Sequence, residues 1–133
     1  MTLFAFYGTF TSDQPGHGNL SSARFVERGR TAPRYRLFFV DGVWPALVEA
    51  ADGVAIECEL YECSEVLLDR LAAIEPAGWS RSAVELEDGL TVEAFLADRE
   101  LTSRGVDVSA YGSCWSAFVS DQAPTRAGGS TPR

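Results

Sequence analysis

The chain does not keep one periodicity for long. Three Asp-Gly pairs, Asp41-Gly42, Asp52-Gly53 and Asp88-Gly89, cut it into short pieces. Asp-Gly supplies the left-handed backbone that tight reversals need, so each pair reads as a turn between strands. The pieces themselves are short apolar or alternating runs. Residues 3–7 read as a buried strand ending at Gly8. Residues 34–40 follow Pro33 as a second strand, and Trp44-Pro45 leads into a third over 46–49. Over residues 54–62, Val54, Ile56, Cys58 and Leu60 point one way, while Glu57, Glu59 and Tyr61 point the other. Glu57 and Glu59 are therefore expected on a solvated face. Residues 81–87 and 90–97 alternate around Asp88-Gly89 and predict a hairpin.

One segment carries helical spacing. Ser64 is placed to cap it, Glu65 lies in the first turn, and Leu67, Leu68, Leu71 and Ile74 line one face. Pro76 disfavours helical backbone at the residue before it, so the helix ends near Glu75. A weaker amphipathic stretch over 110–120 predicts a short second helix after turn residues at 105–109. Residues 11–19 read as a loop, and 121–133, rich in Pro, Gly, Ser and Thr, as a flexible tail. The expected fold is α+β: a small, mostly antiparallel β-barrel with one central packed helix and a short C-terminal helix, in one domain over 1–120.

Composition narrows the function classes. The 133 residues carry 19 acidic and 11 basic side chains, for a net charge of −8, and every basic residue is Arg. Such a chain lacks the basic stripe that neutralises phosphates, so neither nucleic acid nor an anionic membrane is an expected partner. Without Lys there is no Schiff-base chemistry and no Walker-type phosphate loop. Cys58, Cys63 and Cys114 form no CxxC pair, and the only His is His17, so neither a disulfide framework nor a metal site is expected. The apolar opening at residues 3–7 is too short for a signal peptide or a membrane span. The expectation is a cytoplasmic protein with reduced thiols. A Cys114–His17 nucleophile pair is conceivable, but nothing local supports it, and Cys114 reads better as a small apolar residue.

Among the carboxylates Glu75 is distinctive. It sits in Leu71-Ala72-Ala73-Ile74-Glu75-Pro76-Ala77-Gly78-Trp79, at the negative end of a helix among apolar residues. An apolar setting and the helix end both favour its protonated form, which would poise it as a base or acid near neutral pH. An exposed helix-end Glu is the equally weighted alternative. Tyr7-Gly8-Thr9-Phe10 is the other candidate. A Gly ending a buried strand lets successive N–H groups form an anion nest, although such glycines are common.

Taken in order, these segments resemble the gamma-glutamylcyclotransferase-like (AIG2-like) superfamily. Tyr7-Gly8-Thr9-Phe10 is similar to its opening Tyr-Gly-Ser/Thr-Leu, and Asp13-Gln14-Pro15-Gly16-His17 to the segment that follows. Tyr35-Arg36-Leu37, Trp44-Pro45-Ala46-Leu47-Val48 and Cys58-Glu59-Leu60-Tyr61 match its later strands. Leu71-Ala72-Ala73-Ile74-Glu75, with Trp79 and Arg81, matches its helix end. Phe10, Pro76 and Phe95 stand where the pattern usually has Leu, Gly and Tyr. Residues 30–37, 84–89 and 107–112, with Trp115 and Phe118, also resemble the C-terminal domain of allophanate hydrolase, a member of the same superfamily.

The resemblance implies a cofactor-free enzyme that releases 5-oxoproline from a γ-glutamyl amine or amino acid. Glu75 would be the general acid/base, and Tyr7, Gly8, Thr9, Phe10, Arg36, Trp44 and Arg81 the substrate-binding residues. The alternative it implies is a non-catalytic or carbamate-acting small-molecule-binding domain. The partner in either case is a small acid, and a homodimer is left open.

Overall fold

The computed structural model describes residues 1–109 and Trp115. The expected helix over 110–120, apart from Trp115, the tail over 121–133 and Cys114 lie outside the described residues. In chain order the strands are β1 (Thr2–Phe6), β2 (Arg24–Arg30), β3 (Tyr35–Val40), β4 (Trp44–Glu49), β5 (Glu57–Cys63), β6 (Trp79–Glu85), β7 (Thr91–Ala97) and β8 (Gly105–Asp107). One α-helix, α1 (Glu65–Ile74), lies between β5 and β6, and short 3₁₀ turns span Pro15–Leu20 and Arg99–Arg104.

The strands divide between two sheets, a five-stranded one ordered β2-β5-β1-β7-β6 and a three-stranded one ordered β4-β3-β8. All pairings are antiparallel except β1 with β7. The α+β class is as expected, but the barrel is not: the sheets do not close. The chain just beyond the larger sheet's two edge strands meets at a single bridge, Thr31 with Leu86. Period-two patterning fixes which residues face inward, and it leaves open which edges join.

Strand β1 runs through the middle of the larger sheet, and its alternation sorts the core. Ala5 and Tyr7 pack with Leu37, Leu47, Ile56, Cys58, Leu60 and Val84 between the two sheets. Phe4 and Phe6 pack on the other face against Leu67, Leu68 and Leu71 of α1. Both faces of the central strands are thus covered. The helix begins as its sequence requires, with the Ser64 side chain accepting from Leu67 N–H at 3.1 Å. It ends at Glu75, whose backbone is extended (φ −73°, ψ 143°) ahead of Pro76.

Candidate active site

Several element ends converge on one pocket. The loop after β1 contributes Tyr7, Gly8, Thr9 and Phe10; the start of β4 contributes Trp44 and Pro45; the end of α1 contributes Glu75 and Pro76. Trp79 from β6 and Phe95 from β7 complete its lining with Ala5 and Phe6, and the space, including its open mouth, is about 380 Å³. The loop and β4 meet very closely. A Cβ added at Gly8 would lie 2.5 Å from Pro45 Cγ, so only glycine allows this approach.

Glu75 is the pocket's one carboxylate among the described residues. Removal from water pushes its carboxyl up to about 7 from an ordinary 4.5. Burial is the cause. Tyr7 lies beside it. Burial, above all, holds the Tyr7 phenol protonated, and the nearby Glu75 charge acts in the same direction. The phenol's one proton is engaged, donated to Phe95 O at 2.6 Å, and its oxygen accepts from Leu47 N–H at 3.2 Å. It therefore braces β7 against β4 rather than serving as a proton donor to a ligand. Trp79 is fixed in the same way, its Nε1–H donating to Pro45 O at 3.1 Å.

The loop over 8–11 is held by its carbonyls. Gly8 O accepts from Thr11 N–H at 3.2 Å and from Thr11 Oγ1 at 2.8 Å. Phe10 O lies 3.1 Å from His17 Nδ1, which must be the donor because a carbonyl only accepts. The N–H groups of Thr9 and Phe10 bond to none of the described residues. Gly8 O and Phe10 O are thus occupied, and Thr9 and Phe10 line the same pocket as Glu75.

A second carboxylate anchors that loop. Glu59 does not lie on a solvated face as alternation had predicted; it is 6% exposed. It accepts from Ser12 N–H (2.9 Å), Ser12 Oγ (2.7 Å) and Tyr61 OH (3.1 Å). The loop over residues 11–14 covers what the strand pattern left open, and nothing in β5 alone signals that. Glu57 is exposed, as expected.

Of the residues named from sequence, Tyr7, Gly8, Thr9, Phe10, Trp44 and Glu75 come together here. Arg36 and Arg81 are not among the pocket's lining residues. Arg36 holds Asp107 at 3.0 Å and donates to Asp52 O. Arg81 holds Glu65 at 2.9 Å and Glu93 at 2.7 Å. Pro45, Pro76, Trp79 and Phe95 line the pocket without having been named as site residues; the clustering of Trp and Pro around Glu75 was the available signal. His17 supports the loop. Cys58 and Cys63 are buried free thiols, raised by burial to about 12 and about 11.

A family model for the allophanate hydrolase C-terminal domain matches residues 2–120. The chain belongs to this family. Solved structures agree with the match and extend it to the AIG2-like proteins. A uropathogenic E. coli-specific protein is 25% identical, with a TM-score of 0.82 over 92% of this chain and 98% of that one. Allophanate hydrolase from Kluyveromyces lactis shares the fold at 21% identity and a TM-score of 0.83, over 92% of this chain. The present chain covers only 21% of that enzyme. An AIG2-like protein from Mus musculus is 27% identical, with a TM-score of 0.62 over 77% of this chain and 82% of that one. The search of curated proteins found no match. Among the described residues no helix is long and apolar enough to cross a membrane, and no group of three or more His, Cys, Asp and Glu side chains could hold a metal ion.

Proposed function

We propose that this member of the family is a gamma-glutamylcyclotransferase-like enzyme that converts a γ-glutamyl amine or amino acid into 5-oxoproline and a free amine. The observation that carries the reading is Glu75, a carboxyl raised to about 7 in a pocket also lined by Thr9 and Phe10, whose N–H groups bond to none of the described residues. The ionised Glu75 takes a proton from the substrate's α-ammonium group. The freed nitrogen attacks the γ-carbonyl carbon, forming the ring C–N bond and an oxyanion. The loop N–H groups are suited to stabilise that oxyanion. Glu75 then returns that proton to the departing nitrogen as the original amide C–N bond breaks, and the ring nitrogen gives up its second proton through the same carboxylate to the released amine, which leaves as an ammonium. Nucleophile and electrophile belong to one molecule, so the protein need only fold the substrate and carry protons from the ring nitrogen to the leaving one.

The test is 5-oxoproline release from γ-glutamyl amides. Glu75→Gln should lower turnover by about 10²-fold or more, as loss of a general base does. Undiminished product from that variant would refute the assignment. The family match over 2–120 favours a second reading, a domain that binds or acts on a small carbamate-like acid in the same pocket. Tight binding of such an acid, with no 5-oxoproline from any γ-glutamyl compound, would favour it.

A further inference from the structure

A second pocket opens where β2 pairs with β5, and Glu75 is not part of its lining. Counted with its mouth it is about 560 Å³, larger than the first. Tyr7 is the one residue common to both linings. The back wall is Tyr7, Cys58 and Trp115, each more than nine-tenths buried. The mouth is charged, with Asp13, Arg28 and Glu57 exposed there. Glu59 lines it too, but Ser12 and Tyr61 already occupy its oxygens.

Gly29 keeps this pocket open. It stands opposite Cys58 in the strand pair, and its backbone is not left-handed, so no turn requires glycine there. A Cβ would meet Leu60 Cδ1 at 3.7 Å and Cys58 Sγ at 3.9 Å, both ordinary contacts. Glycine inside a strand weakens it, and what its missing side chain supplies here is open approach to the Cys58 wall. The charges beside that approach are of both signs. Arg28 lies 3.9 Å from Glu59, and Glu57 lies 3.8 Å from Arg30. Neither side chain makes a shorter contact or a hydrogen bond among the described residues, so both keep their capacity for one.

A ligand carrying only an ammonium leaves Arg28 unmatched, and one carrying only a carboxylate meets Asp13 and Glu57. A zwitterion complements both signs. We propose that this pocket binds a free α-amino acid with an apolar or aromatic side chain. The carboxylate pairs with Arg28, the ammonium with Glu57 and Asp13, and the side chain covers Tyr7, Cys58 and Trp115. The proposal does not depend on the reaction assigned to Glu75.

The experiment is calorimetric titration of the full chain with L-phenylalanine, and with phenethylamine and phenylpropionate, which each carry one of its two charges. L-Phenylalanine should bind at least about tenfold more tightly than either, as expected for one further charge-assisted hydrogen bond on the same apolar anchor. Gly29→Val, whose branched side chain suits a strand, should fill the approach and weaken L-phenylalanine at least about tenfold. Thermal unfolding checks that this variant is folded; if it is not, Arg28→Gln decides. Arg28→Gln should weaken L-phenylalanine and leave phenethylamine unchanged. Glu75→Gln should bind L-phenylalanine as the parent does. No binding of L-phenylalanine, or binding no tighter than that of the singly charged compounds, would overturn the proposal. So would undiminished binding in Arg28→Gln or in folded Gly29→Val. Loss of binding in Glu75→Gln would place the ligand in the other pocket and overturn it as well.

Discussion

Two carboxylates removed from water are held differently in the fold. Glu75 is pushed up to about 7 because it has lost water and gained no cation. It therefore binds its proton more tightly folded than unfolded. The stability this contributes is complete below about pH 4.5 and is lost as pH rises through about 7. Glu75→Gln removes that dependence, so above pH 7 the variant should exceed the parent by on the order of 2 kcal/mol, allowing for partial solvation. Urea unfolding at pH 5 and pH 8 would measure it; a variant less stable at pH 8 than at pH 5 relative to the parent would contradict the account. Glu59 is buried too, but with three donors on its oxygens. Glu59→Ala strands those donors and should cost about 1–3 kcal/mol. It should also speed amide exchange at Ser12, more than in the strands, because the loop over 11–14 loses its anchor. Equal exchange at Ser12 in variant and parent would show that the anchor lies elsewhere.

Among the elements, those with strong local signals were legible and those defined by distant partners were not. Ser64 and Pro76 bracket α1 in the sequence as they do in the fold. The hairpin of β6 and β7 forms around Asp88-Gly89, with Gly89 at φ 89°. Strand β2 was not legible because it is an edge strand, exposed almost throughout, with a bulge between Phe25 and Glu27, so it shows no alternation. Strand β8 is three residues beginning at Gly105 and is defined only by its pairing to β3, which is why residues 105–109 read as a turn. The site depends on one close approach between elements, β1's loop onto β4 at Gly8 and Pro45. Gly8→Ala would put its Cβ 2.5 Å from Pro45 Cγ. The expected outcome is a loss of about 1–3 kcal/mol, as for other overpacked positions, together with weakened ligand binding. Thermal unfolding and calorimetry on one variant would read both, and an unchanged melting temperature would show that the two elements separate more easily than this packing implies.

For the whole molecule, the sequence located the pocket better than it described the architecture. Tyr7-Gly8-Thr9-Phe10, Trp44 and Glu75 are far apart in the chain and meet because β1, β4 and α1 end at the same place. That was legible through the resemblance of ordered motifs, not through periodicity. Arg36 and Arg81 look like carboxylate partners for a ligand until the fold supplies Asp107 and Glu65 for them. The barrel was an inference from many short strands, and two sheets satisfy the same pattern. The proposed reaction rests on a pocket whose one carboxyl among the described residues is raised to about 7. The pH dependence of 5-oxoproline release from a γ-glutamyl amide tests this most directly. Turnover should rise through an inflection near pH 7, where Glu75 ionises, and be lost in Glu75→Gln. No product at any pH, or a Glu75→Gln protein with the parent's rate and profile, would contradict it.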